Sequence, residues 1–161
     1  MMIPKKIHYC WFGKGELPPI AKKCIKSWKK YCPDYEIICW DESNCDLSSN
    51  RYVREAFEAK KWAFVSDYVR LKVIFDHGGV YLDTDVELLK PLDDLIKDGA
   101  YMGLQNETEV ATGLGFAGEK GNEFIGENMR YYENLTDFSQ LRSCPIITTE
   151  LLIPYGLKED N

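Results

Sequence analysis

Gly78-Gly79-Val80-Tyr81-Leu82-Asp83-Thr84-Asp85 is the stretch on which the reading of the fold turns. Two glycines stop a helical pattern that covers about 62–77. Val80 to Leu82 then reads as a short buried strand that runs into two carboxylates one residue apart. Two aspartates just past a buried strand repel each other and are costly unless something positive binds them. A divalent cation resolves that repulsion, and hard oxygen ligands suit Mn²⁺ or Mg²⁺ shared with phosphate oxygens and water. On bare spacing Asp-x-Asp is a weak signal, because short, capped, solvated acidic turns are common. The Gly-Gly-Val-Tyr-Leu context strengthens it.

Outward from this stretch, strand and helix patterns alternate. Lys6 to Phe12 reads as a strand ending at Gly13, and Pro18-Pro19 opens a helix over about 19–31. Tyr35 to Trp40 is a second strand, and a helix follows at about 51–60. Val86 to Leu89 looks like a further short strand ended by Pro91, with a helical turn from Leu92 to Lys97. Strands are expected at 100–105 and 112–117, and a helix at about 122–134. The segment from Cys144 to Pro154 is apolar and expected to be buried. The alternation indicates an α/β sandwich with a mainly parallel central sheet, in which ligands sit beyond the carboxyl ends of the strands.

The helix before the glycines adds candidates. At ~100° per residue, Ser66, Asp67, Arg70 and His77 share one arc. Asp67 and Arg70 are three apart and can pair. A surface salt bridge, worth little, and a site in which Arg70 meets a phosphate and Asp67 a sugar hydroxyl both fit that spacing. Trp11 ends a strand before Gly13; such a residue is more often core, and it could also stack on a base or sugar. His8 and His77 read as structural or surface residues.

Composition limits the alternatives. A hydrophobic share of 45% in 161 residues is enough for one domain with a real core. The net charge of −6, with dispersed acids, argues against a nucleic-acid partner. The N-terminal third is locally basic through Lys22, Lys23, Lys26, Lys29 and Lys30; a solvated helix face explains this, and weak attraction to anionic lipid is the sharper reading. Six cysteines without a Cys-x-x-Cys pair, and two histidines, argue against zinc. No stretch reads as a signal peptide or a membrane span, so the expectation is a cytoplasmic protein with reduced thiols, possible contact being with the inner face of the cell membrane.

Three blocks together carry a resemblance: Lys6-Ile-His-Tyr-Cys-Trp-Phe-Gly13, Phe64-Val-Ser-Asp-Tyr-Val-Arg70, and Gly78 to Asp85. In order and approximate spacing they resemble glycosyltransferase family 32, which includes bacterial capsular-polysaccharide and lipopolysaccharide sugar transferases and fungal outer-chain mannosyltransferases. The resemblance implies a GT-A fold and a retaining, metal-dependent transfer of a hexose from a nucleotide-diphosphate sugar to a glycan or lipid-linked acceptor. It implies that Asp85 ligates the metal directly and that Asp83 acts through ribose and a metal-bound water. Arg70 would contact the donor diphosphate or sugar, Asp67 would hold sugar hydroxyls, and Ser66 would be a lesser contact. Tyr81 would pack at the donor and Trp11 near the base. By analogy a UDP-hexose is expected ahead of GDP-mannose.

Family members run beyond this length, with a His-x-x-x-Ser-Trp-like block that closes over the diphosphate. No such block precedes Asn161, so one GT-A-type domain over 1–161, lacking a C-terminal segment, is expected. A haloacid-dehalogenase-type phosphatase also uses Asp-x-Asp after a strand, but wants Thr or Val where Glu87 stands and places its pair after the first strand. A non-catalytic nucleotide-sugar-binding module is the other alternative.

Overall fold

In the computed structural model, residues 2–48, 50–103, 106, 109–135 and 144–155 are described. The first strand, β1 (Lys6–Cys10), lies between β2 (Glu36–Trp40) and β3 (Gly79–Tyr81) and is parallel to both. Strand β4 (Tyr101–Met102) and strand β5 (Phe116–Gly118) complete a sheet of order β2-β1-β3-β5-β4, with β5 antiparallel to its two neighbours. The expected mainly parallel α/β sheet is therefore present. Its parallel core puts Trp11, after β1, and Asp83, after β3, at the same edge.

Side chains alternate across the sheet as strand geometry requires. Ile7, Tyr9, Val80, Leu82 and Ala117 pack on one face with Trp28, Cys24 and Ile25 of α1 (Pro19–Tyr31). Cys10, Tyr81 and Phe116 pack on the other with α2 (Arg51–Glu58), α3 (Trp62–His77) and α5 (Glu123–Glu133). Asn50 and Asn122 cap α2 and α5 by accepting from the backbone N–H three residues on, each at 3.0 Å. Helix α3 is buried nearly all round, from Val65 to Ile74, which is why its polar residues end up inside. The six cysteines are free thiols, four of them buried.

Three expectations need correction. Val86 to Leu89 forms no strand: the Val86 carbonyl accepts from Trp28 Nε1 at 2.8 Å and the Leu88 N–H donates to Ser27 Oγ at 2.9 Å. Helix side chains thus occupy backbone groups a ladder would need. The strand expected at 112–117 starts late, because Thr112–Leu114 forms a 3₁₀ turn and Gly115 takes φ +114° before β5. The strand expected at 100–105 is confined to β4, with 104 and 105 outside the described residues. The four-residue helix α4 (Asp93–Ile96) contributes no buried residue, and the apolar C-terminal stretch forms α6 (Cys144–Leu152) and a 3₁₀ turn (Ile153–Tyr155). Cys144 and Ile147 are buried there, whereas Ile146, Ile153 and Tyr155 are exposed.

The glycines that end α3 also fix the start of β3. Gly78 has φ +71°, and a Cβ on Gly79, at φ +123°, would stand 2.7 Å from the Lys6 carbonyl. His8 of β1 locks this corner. Trp40 Nε1 donates to its Nδ1 at 3.0 Å, and its Nε2 lies 2.9 Å from the Gly78 carbonyl. An indole N–H only donates and a carbonyl only accepts, so Nδ1 is bare and Nε2 carries the proton. Burial lowers the His8 pKa to about 4, partly offset by the Gly78 carbonyl. His77 is exposed and stacks on Trp40 at 5.2 Å.

The unfolded chain protonates His8 near pH 6.5 and the folded chain only near 4, so the unfolded state holds more protons between them. The His8 contribution is complete above that window and falls with pH through it, by about 3 kcal/mol in all. Urea unfolding of wild type and His8→Gln from pH 7 to 4 checks this. The wild type should lose stability relative to the variant as pH falls.

Candidate functional site

Arg70 is brought to the carboxyl edge of the sheet by α3, where β3 delivers Asp83. Arg70 is 6% exposed and its guanidinium cannot lose its proton, so its surroundings must supply acceptors and negative charge. Nε donates to the Ser66 carbonyl at 3.1 Å and Nη1 to Thr112 Oγ1 at 3.2 Å. Nη2 stands 3.4 Å from Asp67 Oδ1 and 3.5 Å from Asp83 Oδ1. The Tyr81 ring lies beneath, 5.2 Å from Cζ. The Asp67–Arg70 pair is therefore a buried pair and not a surface salt bridge.

Both carboxylates feel the burial. Asp67 is pushed up to about 6 by desolvation, with Arg70 pulling it down and Asp83 pushing it further up. Asp83 is likewise raised by burial, with Arg70 and the Tyr81 hydroxyl opposing. Asp85 differs: it is exposed, and among the described residues its carboxylate has no hydrogen-bond or ion-pair partner.

These groups border a cavity of about 390 Å³. Of the residues expected at a site, Trp11, Ser66, Arg70, Tyr81, Asp83 and Asp85 line it, while Asp67 stands behind Arg70. Trp11 is half-buried, its Nε1 donating to the Gly15 carbonyl at 2.8 Å, so it is a cavity wall and not a core residue alone. Ser66 contributes its carbonyl to Arg70, and its hydroxyl donates to the Trp62 carbonyl at 3.1 Å. Trp62 and Thr84 also line the cavity and were not singled out in the sequence. Trp62 lies one helical turn before Ser66, a spacing that could have found it. Its ring fills the space a Cβ on Gly13 would take, at 2.8 Å. Thr112 was missed for a different reason: it meets Arg70 across 42 residues of sequence.

A second cavity of about 400 Å³ is lined by Tyr101, Met102, Val110, Phe124 and Leu152. Among the described residues its walls hold no carboxylate and no cation, whereas the first cavity has both.

The donor set can be tested against a metal. Among the described residues no three carboxylate, Cys or His groups converge to form a protein-only cage. An exposed, unpartnered Asp85 beside a half-buried Asp83 at an open cavity suits an ion held by one or two carboxylates, with phosphate oxygens and waters completing its shell. The residues present fit that mode of binding.

A mainly parallel sheet with paired aspartates and a buried arginine at its carboxyl edge is the arrangement of a GT-A-like glycosyltransferase fold. The structure superposes on PaToxG glycosyltransferase with a TM-score of 0.70 at 20% identity, covering 96% of this chain and 70% of that one. It also matches the UDP-bound glycosyltransferase domain from the YGT toxin with a TM-score of 0.58 at 13% identity, covering 99% and 69%. The chain belongs to the family described as glycosyltransferase sugar-binding region containing DXD motif, whose model matches residues 18–102. Inositol phosphoceramide mannosyltransferase 3 of Schizosaccharomyces pombe is 30% identical over 151 residues, 91% of this chain. The chain spans 41% of that relative's length.

Removing the cation should expose the cost of the buried carboxylates. Arg70→Met is expected to lower stability by about 3–5 kcal/mol at pH 7. The loss should shrink toward pH 5, because Asp67, already raised to about 6, takes up a proton more readily without Arg70. Guanidinium unfolding at the two pH values checks both the size and the direction.

Proposed function

We propose that this chain carries the donor site of a metal-dependent glycosyltransferase that moves a hexose from a nucleotide-diphosphate sugar to a glycan or lipid-linked acceptor. The observation that carries this is the meeting of a buried Arg70 with the Asp83–Asp85 turn, in a cavity walled by Trp11 and Trp62. Arg70 holds a fixed positive charge where a departing diphosphate gathers negative charge, which is electrostatic stabilisation without reorganisation. Asp85 and Asp83 would hold Mn²⁺ or Mg²⁺, which when bound neutralises phosphate charge as a Lewis acid. Trp11 and Trp62 offer flat faces for a base or sugar ring. Asp67, behind Arg70 and outside the cavity wall, orients the guanidinium and does not take the sugar-hydroxyl role expected of it.

Retention of anomeric configuration is part of this reading, by attack of the acceptor on the face the diphosphate leaves. Asp83 is held by Arg70 and is a poor candidate for a covalent nucleophile. A trapped glycosyl–enzyme adduct would overturn front-face attack. The fungal relative is named for transferring mannose, so mannose donors stand beside UDP-hexoses as candidates.

Calorimetry decides the donor: UDP-glucose, UDP-galactose and GDP-mannose, each with and without Mn²⁺, on wild type and Asp85→Ala. The expected outcome is binding of one nucleotide class that weakens at least about tenfold without metal or in the variant. Absence of binding both to this folded chain and to one extended through the expected C-terminal block would sink the nucleotide-sugar reading, and equal binding without metal would sink the metal.

We also propose that α1 meets an anionic membrane surface, as a lipid-linked acceptor in capsule or lipopolysaccharide synthesis would require. What supports it is the placement of its five lysines: all are exposed, all fall within about 120° at ~100° per residue, and the helix bears no acid. Glu87, 4.0 Å from Lys23, is the acid paired with this face. Among the described residues no helix is long and apolar enough to cross a membrane, and attraction through this lysine face would be electrostatic. Sedimentation with phosphatidylserine vesicles should fall sharply for Lys22→Glu/Lys26→Glu/Lys29→Glu, and unchanged binding would remove this surface from consideration.

A further inference from the structure

We propose that Thr112 and Gly113 are positioning residues of the donor site: the Thr112 hydroxyl sets the plane of the Arg70 guanidinium, and the bare Cα of Gly113 makes room for the Asp83 carboxylate. This rests on the reading of the cavity as a donor-diphosphate site. The two residues lie beyond the segment matched by the family model, which ends at residue 102.

Arg70 has contacts on all three guanidinium nitrogens, and they differ in origin. Ser66 and Asp67 belong to the same helix as Arg70, so they move with it. Asp83 is itself placed partly by Arg70. Thr112 comes from a separate element, the turn that leads into β5, and touches Nη1 at 3.2 Å. A planar fork held at Nε, Nη1 and Nη2 has one orientation. Without the Nη1 contact, its position depends on α3 and on the aspartate it is meant to hold.

The direction of the bond is fixed by chemistry. Arginine cannot accept, so Thr112 Oγ1 accepts and its own hydrogen is free to donate to Cys144 Sγ, 3.2 Å away at the start of α6. Thr112 has no solvent exposure, so water does not substitute for it. Of the two Nη1 hydrogens, one is taken by Thr112 and the other is left for a ligand oxygen.

Gly113 acts through space and not through backbone freedom, since its φ lies outside the left-handed region. A Cβ there would stand 2.6 Å from Asp83 Oδ2 and 3.1 Å from Arg70 Nη1. A methyl would force that carboxylate to shift and crowd the Arg70 fork beside it.

The test uses the full chain with Thr112→Val, Thr112→Ser and Gly113→Ala. The first readout needs no ligand: the Nη1 proton resonances of Arg70, identified by their loss in Arg70→Lys. They should be resolved in wild type and Thr112→Ser, and averaged by free rotation in Thr112→Val. The second is the Kd for UDP and GDP with Mn²⁺, against uridine and guanosine. Thr112→Val and Gly113→Ala should weaken the diphosphate-bearing ligands about tenfold, the worth of one hydrogen bond to a charged group. The bare nucleosides should be unaffected, and Thr112→Ser should restore binding. A Thr112→Val protein with restrained Arg70 resonances and wild-type affinity for UDP and GDP overturns the proposal. If wild type binds neither nucleotide, the resonances alone decide whether Thr112 holds Arg70.

Discussion

A buried guanidinium is the constraint around which this molecule is arranged. Arg70 stays charged wherever it is put, and taking it out of water is costly unless acceptors surround it. The protein supplies a helix carbonyl, a threonine hydroxyl and two carboxylates, drawn from α3, the turn after β3 and the turn before β5. Asp67 and Asp83 in turn are raised by burial and depend on Arg70 for compensation. Each member justifies the burial of the others, so the cluster is mutually supporting and sensitive to the loss of any one.

The sheet opens that cluster onto a cavity. Because β1 and β3 are parallel neighbours, the chain leaves both at one edge, and Trp11 meets Asp83 and Asp85 across the same opening. The Gly78–Gly79 corner, held by His8 and closed against the Lys6 carbonyl, sets where β3 begins and hence where Asp83 emerges. Beyond Asp85 the chain is tied to α1 through Trp28 and Ser27, which keeps the second aspartate at the surface. One aspartate faces the arginine and the next faces solvent, an asymmetry that divides the pair between a buried positive partner and a free ligand position.

Fold similarity and family membership speak to different things. The toxin domains share the architecture at low identity and say nothing of substrate, whereas the family model rests on the residues from 18 to 102 that hold Arg70 and the aspartate pair. Outside that segment lie Trp11, which lines the cavity, and Thr112, which holds Arg70 from behind it.

Sequence by itself determined most of the elements and most of the residues that meet at the candidate cavity. Local signals were sufficient where the cause is local: Pro19 opens α1, Gly78 closes α3, and short runs of apolar and aromatic residues bounded by glycine mark β1 and β3. Asp83 and Asp85 were legible because repulsion between near neighbours is a local fact, and Arg70 because it lies three residues from Asp67. Only the tertiary structure decided that the Asp67–Arg70 pair is buried, that Val86 to Leu89 gives its backbone groups to α1, and that Thr112 holds Arg70. These outcomes depend on what packs against a segment from far along the chain. Helical spacing shows which residues share a face, but burial, and with it the strength of every charge on that face, is set by elements that arrive from elsewhere.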